Sequence, residues 1–394
     1  MPFRPAAGES LPTAKPRAWV VRTDAEGVMP TGLTAGTDGA LYGTTGAGGA
    51  NGAGSVFRIT DGEIETLYSF TRSGTISPQP TAPLTAGANG VLYGVTGFGG
   101  PAHNGTAFRC EPDGKVVAVY SFSKFDQDGN NPDGAEPESP LIAGRDGSLF
   151  GTTCYGGKNG AGTIFRLSPH MDFTALYSFP ATSYESNPTG LLTGNDGYFY
   201  AVCTFVGSDH TGVIDRIDKT GNSRVLHVFS PGEGMHPTTS LVQDAAGNLY
   251  GTTTEGASGG RGAVYRIDPS GGCVVLKAFD KAGDSGINAS GYAPTASLTP
   301  AADGAWYGTA ERGGAAGAGT IFKIAKDGAF SVVHSFTGPE GAFPVGLLTA
   351  GPDGALYGVT ALGGANDTGA VYRLTPTGEV TVVASFPNPH SAAR

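Results

Sequence analysis

Seven histidines in 394 residues are few enough to be read one at a time. His103 and His210 lie in Gly-rich segments and His236 precedes Pro237, settings in which an imidazole can serve as base, ligand or stacking face. Glu138 and Glu255 add carboxylates, Tyr155 a phenol and Arg312 a guanidinium. With His236 these are the groups that acid–base chemistry on a small organic substrate needs. Phe98, Tyr155 and Phe205 offer aromatic faces to an organic ligand or a sugar ring. Asp215 is a carboxylate at a position where six equivalent residues are Phe or Tyr. Burying it there is costly unless it is paired, so it reads either as an acid or base with a perturbed pKa or as half of an ion pair. The preferred reading is an ion pair with a basic series formed by Arg58, Arg109, Arg166, Arg216, Arg266, Lys323 and Arg373.

No motif turns these candidates into a known active site. Gly-x-Ser-x-Gly, His-Glu-x-x-His, P-loop and dinucleotide fingerprints lack a supporting context, and the Gly-x-Gly strings are not followed by a helix. Cys110, Cys154, Cys203 and Cys273 stand singly, with no Cys-x-x-Cys or Cys/His ligand spacing. They are expected as reduced, buried or half-buried thiols, and no metal or cofactor is expected. The run Asp126–Asp133 resembles a calcium loop but has Asn131 where Gly is required and Pro137 where Glu is required.

The elements that position these residues come from an internal repeat. A Leu-Tyr-Gly-type marker places its aromatic at Tyr42, Tyr93, Phe150, Tyr200, Tyr250, Tyr307 and Tyr357, at intervals of 51, 57, 50, 50, 57 and 50 residues. Gly stands three before and twelve after every marker aromatic, and each unit closes on a Phe, from Phe70 to Phe386. An Asp-Gly or Asn-Gly hairpin signal precedes the marker in several units. Four short antiparallel strands every ~50 residues describe a β-propeller blade. The chain therefore reads as all-β: a single seven-bladed β-propeller of four-stranded antiparallel blades over residues 17–386, after a polar arm at 1–16 and before a tail at 387–394. Arg17–Arg22 and Glu379–Phe386 both read as fourth-strand copies, so a terminal-strand clasp is expected to close the ring.

Composition agrees with a folded ring. The 66 Gly residues are punctuation at fixed intervals, and 39% hydrophobic residues suffice for a core. The net charge of −10 and the lack of a basic run argue against nucleic acid, and no stretch is long and apolar enough to span a bilayer. The sequence as written shows no leader, so a cytoplasmic, monomeric protein is expected.

The quoted units resemble the GloVer tandem-repeat family of bacterial proteins, with its Asp-Gly-x-Leu-Tyr-Gly-Thr-Thr, Val-Phe-Arg-Leu and Leu-Tyr-Ser-Phe flavour, over about residues 30–386. The resemblance implies a propeller-like array and no particular reaction.

Function is expected where the repeats differ, on the face shared by the loop between second and third strands and the blade-to-blade linkers. Two linkers are about seven residues longer than the rest, 123–140 and 280–294, and enter blades 3 and 6. Five residues after the marker aromatic stand Ala47, Phe98, Tyr155, Phe205, Glu255, Arg312 and Leu362, an aromatic half followed by a charged half. Phe98, His103, Tyr155, Phe205, His210, His236, Glu255 and Arg312 are the expected ligand-binding residues. The first expectation is a recognition propeller for a small organic or carbohydrate ligand or a protein partner. The alternative is a propeller enzyme, a lyase, hydrolase or tailoring enzyme, drawing on Glu138, His236, Tyr155, Glu255, Arg312 and Asp215.

Overall fold

Each repeat folds into one antiparallel sheet because a Gly-containing turn reverses the chain between two β-branched, aromatic runs. The computed structural model describes residues 28–72, 76, 79–87, 90–127, 131–181, 187–207, 209–238, 240–280 and 287–387. Over these residues the chain forms seven four-stranded antiparallel sheets in a ring, a seven-bladed β-propeller. Blade 1 is Val28–Ala35, Leu41–Ala47, Ser55–Thr60 and Glu63–Ser69. Blade 4 is Pro188–Thr193, Phe199–Cys203, Val213–Ile217 and Ser223–Val228. Blade 7 is Ala342–Ala350, Leu356–Leu362, Ala370–Leu374 and Val380–Ser385. No helix among the described residues is long and apolar enough to cross a membrane.

The first strands line the middle of the ring and bond to one another. Thr34 Oγ1 donates to Leu84 O at 2.5 Å, Thr85 to Leu141 O at 2.6 Å and Thr299 to Leu348 O at 2.8 Å. Thr349 makes the same bond to Leu33 O at 2.5 Å, from blade 7 back to blade 1. Among the described residues the ring thus closes with the contact that also joins blades 1–2, 2–3 and 6–7, and Val380–Ser385 is blade 7's own fourth strand. The arm at 1–16, the proposed clasp strand at Arg17–Arg22 and the tail beyond Pro387 lie outside the described residues.

Hydrophobic burial is concentrated between blades. In every blade but the fourth, the third-strand aromatic meets the closing Phe of the blade before it, edge to face. The pairs are Phe70–Phe108, Phe122–Phe165, Phe229–Tyr265, Phe279–Phe322, Phe336–Tyr372 and Phe386–Phe57, with ring centroids 4.8–5.5 Å apart. Edge-to-face geometry adds roughly 0.5–1.5 kcal/mol per pair to the area buried. That ring also explains the marker glycine across the hairpin. A Cβ on Gly94, Gly151 or Gly308 would stand 2.5 Å from Cζ of Phe108, Phe165 or Phe322. Only the residue without a side chain fits beneath the aromatic.

The opposite face of each hairpin carries a polar tie. In blade 7 the Asp353 carboxylate accepts from Ala355 N–H at 3.2 Å and Tyr357 OH at 3.0 Å, and pairs Arg373 at 2.7 Å. Blade 4 repeats it with Asp196, Tyr200 and Arg216, and blade 6 with Asp303, Tyr307 and Lys323. The basic third-strand series therefore serves the hairpin turns. In blades 1 and 2 Arg58 and Arg109 pair Glu65 and Glu111 instead.

The two long linkers build extra structure. Asn131–Ala135 pairs with Tyr155–Gly157, and Asn288–Tyr292 pairs with Arg312–Gly314, each a two-stranded ribbon beside its blade. Asp133, from the run resembling a calcium loop, is buried and accepts from Tyr120 OH at 2.6 Å and Ser123 N–H at 2.8 Å. It is a structural anchor for the linker.

Candidate functional site

Every blade begins with a residue followed by Pro, and in all seven that residue has a left-handed backbone. They are Met29, Gln79, Glu136, Asn187, His236, Ala293 and Phe343, with φ between 51° and 72°. For a side-chain-bearing residue this costs on the order of 1–2 kcal/mol and persists only where the surroundings over-determine it. Here they do. The N–H of Glu136 donates to Asn104 O at 2.9 Å, that of His236 to Thr211 O at 2.9 Å and that of Phe343 to Ala318 O at 2.7 Å, each reaching into the preceding blade. The following prolines pack on the loop-exit glycines, Pro188 on Gly162 for example. The backbone is thus the same seven times while the side chain differs seven times. Of this ring, only His236 is among the ligand-binding residues expected from the sequence. The available signal was the X-Pro dipeptide at each blade start.

A second ring lies beside the first. The residue five after the marker aromatic pairs with the residue just before X-Pro: Ala135 with Tyr155, Met235 with Glu255 and Ala342 with Leu362. Phe98, Tyr155 and Phe205 are 45%, 44% and 61% exposed, large apolar faces open to solvent.

Contacts gather the rim residues into three groups. In the blade 4–5 sector the Phe205 ring lies 4.8 Å from the His236 ring at a 51° tilt. His236 Nδ1 stands 3.7 Å from Glu255 Oε1. His210 Nδ1 is 3.2 Å from Phe205 O, which holds the loop that carries the phenyl ring. In the blade 3 sector the Cys154 thiol donates to Glu138 Oε2 at 3.5 Å and to Pro188 O at 3.7 Å. Burial, then the Glu138 carboxylate, pushes that thiol far above its ordinary range, which disfavours the thiolate form. Burial and Glu138 raise the Glu136 carboxyl, and burial with Glu136, Cys154 and Glu138 raises the Tyr155 phenol. In the blade 6–7 sector Arg312 Nε is 3.3 Å from Glu311 Oε1, and its guanidinium lies 5.9 Å from the Phe343 ring centre.

The enzyme candidates therefore divide: Glu138 and Tyr155 in one sector, His236 and Glu255 in a second, Arg312 in a third. Asp215 belongs to none. It is wholly buried, opposite Ala201 in the sheet and 3.9 Å from Cys203 Sγ. Strand alternation turns neighbouring Arg216 to the other face, where it pairs Asp196 at 2.9 Å. His103 and His210 share a left-handed turn position, φ 60° and 57°, where blades 1, 3, 5 and 6 use Gly. His103 is exposed in blade 2, two blades from the His210 group. A cavity of about 250 Å³ lies at the seam of blades 7 and 1, lined by Thr45, Ser55, Phe57, Ile64, Thr66, Phe386 and Pro387, and includes none of these candidates. No disulfide links Cys110, Cys154, Cys203 and Cys273; the first three are buried and the last half-buried.

The family model of the Gloeobacter/Verrucomicrobia repeat matches residues 14–134, 127–290 and 220–394. No curated protein matches the chain. Among solved structures, puromycin hydrolase is similar at a TM-score of 0.58 and 15% identity, over 94% of this chain and 55% of its own. The extracellular domain of a putative hybrid two component system from B. thetaiotaomicron gives 0.57 at 12% identity, over 86% of this chain and 39% of its own. A putative 6-phosphogluconolactonase from Bacteroides uniformis gives 0.53 at 15% identity, over 90% and 95%. This chain spans about half the length of the first and less of the second. At these identities the likeness is one of fold.

Proposed function

Because the chain belongs to the Gloeobacter/Verrucomicrobia repeat family, and its repeats differ most where a fixed backbone presents variable side chains, we propose that it is a recognition propeller. Its ligand is a small molecule bearing a hydroxylated ring, of the carbohydrate class, held at the blade 4–5 sector of the rim. The observation that carries this reading is the Phe205–His236–Glu255 group: an exposed phenyl face set against an imidazole with a carboxylate 3.7 Å beyond. The apolar face of a sugar ring stacks on Phe205, while His236 and Glu255 meet its hydroxyls. Tyr155 and Arg312, propped on their ribbons, are further rim contacts.

The enzyme reading draws on the same His236–Glu255 pair. At 3.7 Å the pair lacks the hydrogen bond by which a carboxylate orients a base. A thermal-shift screen against mono- and oligosaccharides tests the binding reading, since a specific ligand raises the apparent melting temperature. The expected result is a shift with a saccharide subset that Phe205→Ala weakens about tenfold or more in Kd, equivalent to at least ~1.4 kcal/mol. Saccharide binding unaffected by Phe205→Ala, or no shift across the panel, overturns the assignment.

A further inference from the structure

Neighbouring blades also touch along their outer edges, and they do so in a fixed register. The residue two before the closing Phe of one blade meets the first residue of the next blade's fourth strand. Tyr120 stacks on Phe173 at 4.0 Å, the Tyr177 hydroxyl donates to Ser223 Oγ at 2.7 Å, and Lys277 Nζ lies 5.3 Å from the Phe330 ring centre. Between blades 4 and 5 the two residues at this register are His227 and Cys273. The linker after blade 4 adds Glu233, whose carboxylate is held by the Ser230 N–H at 3.0 Å and Ser230 hydroxyl at 2.7 Å. The ligand atoms of His227, Glu233 and Cys273 all lie within 4.8 Å of one another.

Two observations distinguish this cluster from a surface ion pair. His227 Nδ1 is 3.0 Å from Gly271 O, so the ring donates its Nδ1–H there and turns the Nε2 lone pair toward Glu233 and Cys273. Nε2 is buried, has no hydrogen-bond partner and belongs to a side chain only 10% exposed. A backbone carbonyl holding one ring nitrogen while the other faces a thiol and a carboxylate is the arrangement of a metal-binding histidine. The seam between blades 6 and 7 is an internal control. There His334 Nε2 stands 3.3 Å from Glu340 Oε1, and Thr337 holds the carboxylate as Ser230 does, but the third position is Val380. That seam has the ion pair and lacks the thiol.

We propose that His227, Glu233 and Cys273 form a binding site for a zinc-class divalent cation on the outer seam of blades 4 and 5. Binding forms Nε2–metal, carboxylate–metal and thiolate–metal bonds, and the Cys273 proton passes to solvent. With one thiolate, one carboxylate and one neutral imidazole the complex is uncharged, and water fills the fourth tetrahedral position. Ligands around tetrahedral zinc stand about 3.3–3.8 Å apart, so side-chain rotation of about an ångström completes the site. The mixed nitrogen, sulfur and oxygen set favours zinc or cobalt over magnesium or calcium.

The test titrates the chelator-stripped full chain with Zn²⁺ by calorimetry and with Co²⁺ by absorption. One ion per chain is expected, with a thiolate-to-cobalt charge-transfer band in the near ultraviolet. Cys273→Val, which copies the blade 7 residue, should abolish the band and weaken zinc binding at least tenfold while leaving the circular dichroism unchanged. His227→Tyr, which copies blades 1–3, should do the same, and His334→Tyr should leave binding intact. A wild-type chain that binds no more metal than Cys273→Val, or a band that survives that substitution, overturns the site.

Discussion

Six of the seven seams between blades are filled by an aromatic pair, and the seam between blades 3 and 4 is not. At the seam of blades 1 and 2 the Phe108 ring meets Phe70 and covers Gly94. At the seam of blades 3 and 4, Phe179 keeps its place and stays fully buried, but the facing position is Asp215 and the residue across the hairpin is Ala201. The sheet itself is unchanged. Blade 4 retains the bulge at Ile214/Asp215 that every blade has at this point, Ala107/Phe108 in blade 2. So the aromatic is not what shapes the blade; it fills the seam, and its loss is matched by the methyl that glycine elsewhere must forgo. The two positions are one unit read across a hairpin.

Transplanting the exceptional carboxylate into an ordinary seam should have the largest effect. Phe108→Asp removes a fully buried ring, a loss of roughly 3–5 kcal/mol, and leaves a carboxylate in a seam built of Phe70, Leu84 and Leu92. Against a total stability of about 5–15 kcal/mol this should abolish cooperative folding of the ring. Urea unfolding followed by circular dichroism would show a lost or markedly lowered transition. A midpoint within error of the parent would mean the seams tolerate a carboxylate anywhere.

The coupling itself should be smaller and measurable. Asp215→Phe alone drives a ring into the Ala201 methyl and should cost about 1–3 kcal/mol. Ala201→Gly alone weakens the strand by roughly 0.5–1 kcal/mol. Together they rebuild the pattern of the other six seams, and the double variant should be at least ~1 kcal/mol more stable than the sum of the singles predicts. Additivity in that double-mutant cycle would dissolve the unit.

The same contrast explains what could be read from the letters. Spacing that recurs seven times reveals blade number, turns and closing phenylalanines, because each copy must meet the same packing and turn demands. Asp215 and Ala201 stand out as lapses, yet their partnership appears only in the register across the hairpin. The rim around His236 is less legible. Its constant elements are a backbone angle and the proline that follows, while the letters Met29, Gln79, Glu136, Asn187, His236, Ala293 and Phe343 share nothing themselves. His227 and Cys273 lie in different repeats, and only the outer-edge register joins them. The long linkers were legible as insertions, and their folding into ribbons depended on pairing with the ends of the second strands that follow them.

The smallest effect concerns the other kind of aspartate in this molecule, the one at the hairpin turn. Partial burial pushes the Asp353 carboxyl up, but hydrogen bonds from Arg373, the Ala355 N–H and Tyr357 outweigh it, and the net shift is downward from 3.8. A carboxyl with a lowered folded-state pKa contributes its stability above the unfolded value, near 3.9, and loses it as pH falls through the folded value. Asp353 is largely solvated, so screening holds the contribution below about 1 kcal/mol. Asp353→Asn should therefore lower stability slightly at pH 7, and the difference from the parent should shrink as pH falls through the lowered folded-state value and vanish below it. Paired urea titrations at pH 7 and through the acid range measure it. A gap that persists in acid would assign the loss to the turn's hydrogen bonds alone and remove the charge from the comparison, whereas its disappearance would show that the turn aspartates act as solvated ions, unlike the buried aspartate at the seam.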